Sequence, residues 1–386
     1  MTETNKTKKN TSPLPGEKTP SKFFEGKNIS RVSFISSGIL VVFLTGILGA
    51  VFLKEKYDTF EKHLNQVEQV YISLQKERLK SEIRIEIDRI NAQRESARTQ
   101  HKKDLQNQVD QIYNLTDIFY RAHASQSVDI IESGLKNILR PLWLDKGGNH
   151  FFIWSAADGR IILQPDTPAM ENESIFKLPD IQADQLKKSI RQILDQGDSG
   201  FISYQWVTQQ EKGKARFPII AHIKYFKPLD WIIGSMAYLD ILDIRLQRRI
   251  IEDLSYTSPG AQHSKEYVFV YQVHDMKGGD AFATMLVNPN RQDLVGTRLS
   301  DRFTDAKGSM FRKEMLNGIR TAGEAFVSYW YPKPGSDSPQ SKLSYFKLYP
   351  EWRWIIAKGS YRDDLDARIK TMRTELENDI QDALRL

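Results

Sequence analysis

The apolar and polar positions change rhythm several times along the chain. Val32 to Leu53 reads VSFISSGILVVFLTGILGAVFL without a charge. As a helix rising about 1.5 Å per residue it spans about 33 Å, enough for a bilayer core. From Lys54 to Arg140 there is no proline and only one glycine, Gly134. In that segment Val67, Val70, Tyr71 and Leu74, and then Leu105, Val109, Ile112 and Phe119, recur at helical spacing. The pattern predicts a long helix reaching Tyr120 and a second one starting after Ser127, with Ser127 as its cap and Asp129 in its first turn. Between the two apolar stripes, Asn91 to Asp104 is almost wholly polar and reads as an exposed stretch of rod.

Past Pro141 the period shortens. HFFIW, GFISYQW, IAHIKYF and WIIGSMAYL read as strands broken by the helical DIQADQLKKSIRQILDQG, and a helical run from Ile244 to Leu254 follows. The pattern then restarts with EYVFVYQVHD, GEAFVSYWY, KLSYFKLY and WRWIIAKGSY, and the helical KGSMFRKEMLNGIRTAG stands in the matching place. His222 through Asp240 aligns with Tyr345 through Asp363 at one constant offset without a gap, and Phe152 to Asp158 aligns with Phe269 to Asp275. The region is α+β and built of two copies of one domain. The expected division is a disordered tail over 1–31, a transmembrane helix over 32–53, a helical stalk over 54–140, domains over 141–250 and 251–366, and a C-terminal helix over 367–386.

Composition narrows the function classes. The chain has 386 residues, 40% of them hydrophobic, no cysteine and a net charge of +6. Disulfides, thiol nucleophiles and Cys-based metal sites are thereby excluded. The positive charge is spread thinly and accompanies no nucleic-acid-reading motif, so no nucleic-acid partner is expected. Lys6, Lys8, Lys9, Lys18, Lys22, Lys27 and Arg31 precede the apolar run against Glu3, Glu17 and Glu25. The positive-inside rule therefore keeps the N-terminus in the cytoplasm and puts the rest outside. The histidines form no HExxH or HxH spacing, and no GxSxG or phosphate-cradling glycine loop occurs. No enzymatic activity, cofactor or metal is expected.

The ensemble of YISLQKERLKSEIRIEIDRINAQRES, HFFIWSAADGRIILQP, GEAFVSYWYPKPG and KLSYFKLYPEWRWIIAKGSYRDDLD resembles the double-Cache (Cache_2-type) extracytoplasmic sensor regions of bacterial signal-transduction proteins. The resemblance covers about Val67 to the end. It implies a long helix leading into two tandem PAS-like modules, each an antiparallel sheet with helices on one side and a small-ligand cavity on the other. It further implies a bacterial inner-membrane location, a homodimer, and a small ligand such as an organic acid, with the first copy membrane-distal and often ligand-bearing. Such regions serve histidine kinases, diguanylate cyclases and chemoreceptors. After Asp363 only one further helix follows where a second span and an output domain are expected, so the chain reads as a sensor fragment or as an anchored sensor with a separate signalling partner. A ligand-free docking platform on a coiled-coil stalk is the alternative.

Strand alternation nominates the site. Tyr345, Lys347 and Tyr349 share one face of their strand, and Val327, Tyr329 and Tyr331 share one face of theirs. Walls from Tyr329, Tyr331 and Tyr345 with Lys342 or Lys347 as counter-charge would suit a carboxylate. In the first copy Tyr204, Trp206, His222 and Lys224 are the candidates; His222 replaces Tyr345, Lys224 replaces Lys347 and Ile219 replaces Lys342. His222 would make that site pH-sensitive. Trp231 and Trp354 read as core. PKPG reads as a turn that presents Lys333 at its tip.

Overall fold

The computed structural model describes residues 26–143, 149–178, 183–210, 213–256, 266–336 and 338–385. The tail expected over 1–31 lies outside these residues up to position 25. Helix α1 runs from Gly26 to His123, unbroken through the polar stretch, because nothing in it removes a backbone donor or supplies a turn. One segment of α1 is long and apolar enough to cross a membrane. Helix α2, Val128–Leu139, starts where expected, with Ser127 at the N-cap position and Asp129 in its first turn. Its cap is the Ser127 backbone carbonyl, which accepts from Ile130 N and Ile131 N at 3.1 Å; the hydroxyl makes no cap bond.

Two antiparallel sheets follow. The first comprises β1 (Asn149–Ser155), β2 (Ile161–Leu163), β3 (Ser199–Gln210), β4 (Gly213–Phe226) and β5 (Trp231–Tyr238), in the order β2-β1-β5-β4-β3. Helix α3 (Ala183–Gln196) precedes β3, and α4 (Leu239–Tyr256) leaves the sheet. The second comprises β6 (Val268–Val273), β7 (Ala283–Val287), β8 (Arg298–Leu299), β9 (Glu324–Pro332), β10 (Pro339–Tyr349) and β11 (Trp354–Tyr361), with α5 (Phe311–Ala322) before β9 and α6 (Asp363–Arg385) at the end. Its order, β8-β7-β6-β11-β10-β9, repeats the first with one short edge strand added.

The duplication reaches backbone detail. The register shifts between Ile153 and Trp154 in one copy and between Val270 and Tyr271 in the other. Asp230 (φ 51°) and Arg353 (φ 52°) occupy the left-handed region at matching turns into β5 and β11. Their carbonyls accept from Ala156 N and Val273 N at 2.8 and 2.9 Å. A non-glycine residue held left-handed costs roughly 1–2 kcal/mol, so both copies keep the same strained turn for the same inter-strand bond.

One compact unit, Ser73–Asp364, contains both sheets; the flanking parts of α1 and α6 form another, within which Arg373 Nη1 bonds Glu61 Oε1 at 2.7 Å. In the first copy one face of the sheet packs Phe151, Ile153, Trp231 and Ile233 against Val109 and Ile112 of α1 and Ile131 and Leu135 of α2. The opposite face packs Phe152, Trp154, Ile202 and Tyr204 with Leu186 and Ile190 of α3. Helices thus cover both faces, where the resemblance implied helices on one side. The second copy places Phe269, Tyr271, Phe346 and Ile355 with Phe311, Met315, Leu316 and Ile319 of α5. Trp231 and Trp354 are core, as expected. Asn91 to Asp104 is not simply exposed rod: Asn91 accepts from Tyr349 Oη at 2.9 Å, and Arg94 pairs with Asp243 at 3.3 Å and lies over the Trp352 ring.

Candidate functional site

Strand register decides which candidates can meet. Lys342 pairs with Tyr329 and Ser344 with Val327, so the even positions of β10 share a face with Val327, Tyr329 and Tyr331. That face looks onto α5. Tyr345 pairs with Phe326, which places Tyr345, Lys347 and Tyr349 on the other face, toward α1. The pocket expected from Tyr329, Tyr331, Tyr345 and Lys347 together is therefore split by the sheet. Tyr345 Oη and Lys347 Nζ bond Glu324 Oε2 at 2.8 and 2.9 Å, and Lys80 of α1 completes the cluster at 2.7 Å from Glu324 Oε1. Bonds from Lys80 and Lys347 draw the Glu324 carboxyl down to about 2.

The first copy divides in the same way. Tyr204 pairs with Ile219 and Trp206 with Phe217, on the α3 face. His222 pairs with Phe201, on the α1 face, where Lys224 bonds Asp110 of α1 at 2.6 Å and lies over Tyr113. His222 is buried, and burial lowers its pKa against the pull of Asp110. The expected pH-sensitive pocket of Tyr204 and His222 does not assemble. Lys333 does not stand at a loop tip either: it bonds Asp363 at the start of α6 and is mostly covered.

What does assemble is a basket around Lys342 in the second copy. Lys342 is 1% exposed and donates to Tyr267 Oη at 3.0 Å. The rings of Tyr267, Tyr361, Phe269 and Tyr331 surround Nζ at 4.1, 5.0, 5.1 and 5.6 Å from their centroids. No carboxylate forms an ion pair with it among the described residues. Burial draws the Lys342 amine down to about 7, with the nearby Glu266 charge opposing. Tyr329 Oη lies 2.9 Å from Ser344 Oγ and its ring stacks on Phe311 at 4.1 Å. Gly359 makes room for the lysine arm: a Cβ there would sit 2.5 Å from Lys342 Cε.

Arg312 adds a second buried cation. It is 5% exposed, donates from Nη1 to Ser300 O at 3.1 Å, and has no hydrogen-bond partner for Nε among the described residues. Its charge opposes the effect of burial on the Tyr271 hydroxyl, whose pKa burial pushes up to about 12. Sequence reasoning missed Arg312, although it shares a helical stripe with Met315, Leu316 and Ile319, where a charge is out of place. It also missed Tyr267, Tyr361 and Gly359, whose roles depend on strands paired across the sheet. The site touches α1 through Glu266, next to Tyr267. Burial would raise the Glu266 carboxyl, but Arg78 of α1, bonded to it, holds it below the usual range. Two cations, hydroxyl donors and flat apolar walls, with no carboxylate ion-paired to Lys342 among the described residues, can hold a small organic anion. Elsewhere, a groove of about 500 Å³ between α1 and α4 is lined in part by Arg94, Arg98, Asp243 and Arg249.

Comparison with known proteins agrees with this architecture. The dCache_2 family of Cache domains matches residues 56–366. The methyl-accepting chemotaxis protein McpP of Pseudomonas putida is 36% identical over 83 residues, 22% of this chain and 15% of that protein's length. The chain thus spans a small part of that relative. A periplasmic sensor domain of a chemotaxis protein is similar at 28% identity and a TM-score of 0.26, covering 31% of this chain and 74% of that one. A Cache chemosensory domain described for carboxylic acid recognition is similar at 24% identity and a TM-score of 0.26, covering 31% and 72%. With its repeated sheets and a family match over most of its length, the chain belongs to the dCache_2 family of Cache domains.

Proposed function

We propose that the chain is a membrane-anchored extracytoplasmic sensor that binds a small organic anion, of which a short carboxylate is the simplest, in its second Cache copy. Lys342 carries the reading. A buried lysine whose acidic neighbour, Glu266, is already bonded to Arg78 is poorly stabilised, and a carboxylate ligand supplies further charge and accepts its hydrogen bonds. The ligand enters between Lys342, Arg312 and the tyrosine hydroxyls, and the aromatic walls cover its carbon skeleton.

The apolar run of α1 anchors the protein with its N-terminus in the cytoplasm. Ligand charge at Lys342 competes with Glu266 for the field at Tyr267, and Glu266 is bonded to Arg78 of α1. A displacement of α1 is the output that supports signalling to a partner or within a homodimer. The protein performs no chemistry on its ligand.

The test is a thermal-shift titration of the detergent-solubilised full chain with sodium acetate, propionate and succinate against matched sodium chloride. A ligand at a hundredfold excess over its Kd stabilises by about 2.7 kcal/mol. Lys342→Met should remove the response while the protein stays folded. A flat response to all three acids would favour the docking platform.

A further inference from the structure

The α3 face of the first copy holds a carboxylate where the second holds a lysine. Asp166 lies just past β2 with its side chain 11% exposed. No lysine or arginine pairs with it among the described residues. Its polar contacts are long: His150 Nδ1 at 3.5 Å and Thr167 Oγ1 at 3.5 Å. The Asp166 charge reaches the hydroxyls of Tyr204 and Tyr238, both of which burial has already raised. The Tyr238 ring meets His150 edge-on at 5.6 Å, and Tyr204 meets Trp154 at 6.3 Å.

Two further groups in this part of the copy lack hydrogen-bond partners among the described residues. Gln164, 0% exposed, leaves both Oε1 and Nε2 without a hydrogen bond, and Trp154 Nε1 is buried and unbonded. Buried amides are almost always paired, so an unpaired one two residues from a poorly compensated carboxylate calls for a polar occupant. The second copy inverts this chemistry: Asn288, the residue matching Gln164, bonds Arg291 N at 3.0 Å, and Asn290 matches Asp166.

We propose that the first copy binds a small organic ammonium ion, a protonated amine. Asp166 is its counter-charge, and Gln164 Oε1 accepts one of its N–H groups. The faces of Trp154, Tyr204 and Tyr238 supply cation–π attraction. At the position matching Lys342 the first copy has the buried Ile219. The inference stands on the first copy alone and does not depend on the anion reading of the second.

The full chain in detergent is titrated at neutral pH with methylammonium and ethanolamine chlorides against sodium chloride at equal ionic strength. Thermal stabilisation by at least one ammonium salt is expected. Asp166→Asn should lower its apparent affinity about tenfold or more, as loss of a close charge partner does. Gln164→Met should fold without loss of unliganded stability and respond more weakly, and Lys342→Met should respond as the wild type does. No shift with either salt, an undiminished response in Asp166→Asn, or a response lost in Lys342→Met would each overturn the proposal. If Asp166→Asn does not fold, Gln164→Met decides: a wild-type response, or a marked loss of stability, overturns it. Acetate responses in the same variants report on the second copy, so failure of one site is distinguishable from failure of the other.

Discussion

The two Cache copies share strand order, a register shift and a strained turn, yet their α3- and α5-facing sides hold different chemistry. At matching positions the first copy has Ile219, Ala221 and Met236 where the second has Lys342, Ser344 and Gly359. These changes are mutually dependent. Tyr204 donates to Met236 Sδ at 3.2 Å, while its counterpart Tyr329 bonds Ser344 Oγ at 2.9 Å. The lysine needs the space over Gly359 that Met236 fills in the other copy. A scaffold can therefore be copied whole while one triad of residues turns a thioether-filled interior into a basket for charge.

The largest effect should come from emptying the filled interior. Met236→Ala removes a fully buried side chain and should cost about 2–5 kcal/mol in denaturant unfolding. It should leave the acetate response of the second copy intact; loss of that response would show that the copies do not bind independently. The reverse exchange, Gly359→Met, forces atoms onto Lys342 and Ser344 and should cost about 1–3 kcal/mol. It should also abolish acetate binding, so a variant that still responds would place the ligand elsewhere.

pH separates the copies more finely. Lys342 has a folded pKa of about 7, below that of a free lysine, because burial penalises its charge. The unfolded chain holds that proton more tightly between these values, so unliganded stability should rise with pH from about 7 toward about 10.4, and Lys342→Met should flatten the rise. A carboxylate needs the protonated amine; its affinity should fall by up to about tenfold per unit above pH 7 in isothermal titration. Glu266, Tyr267, Tyr331 and Tyr361 face the same amine, and Glu266→Gln should bring the fall to lower pH. Glu324 acts in the same direction in a lower pH window. Its folded pKa of about 2 lies below the unfolded value, so its contribution is present above about 4.3 and is lost as pH falls toward 2.

The smallest effects should come from the shared turns. Asp230→Gly and Arg353→Gly remove left-handed strain but also delete, respectively, the Tyr225–Asp230 bond and the Arg353–His274 bond. Each should change stability by about 1 kcal/mol or less, and by similar amounts in the two copies. Unequal changes on thermal melts would show that the turns are equivalent in shape only.

Much of the fold was legible in the chain. Helical periodicity and the absence of proline located α1 and α2, and the constant offset from His222 to Asp240 against Tyr345 to Asp363 exposed the duplication. Alternation sorted Tyr329 and Tyr331 from Phe326, and Tyr345 from Phe346, correctly within each strand. The error lay between strands. Alternation alone does not keep Tyr345 and Lys347 apart from Tyr329, or His222 and Lys224 apart from Tyr204, although the sheet separates each pair of sets. Gly359, Tyr267 and Arg312 carried no local signal strong enough to join them to Lys342, since they lie on β11, before β6, and on α5.

The sequence by itself determined the apolar run, the long helix, the two copies and the face of each strand on which a side chain lies, because these depend on local periodicity and backbone stereochemistry. Only the tertiary structure decided which faces coincide and what lies over them. A one-residue difference in register moves a side chain to the other side of a sheet, and nothing within a single strand encodes its partner's register. Lys342 joined the buried interior facing α5, and Lys347 the Glu324 cluster that reaches α1, through that pairing alone.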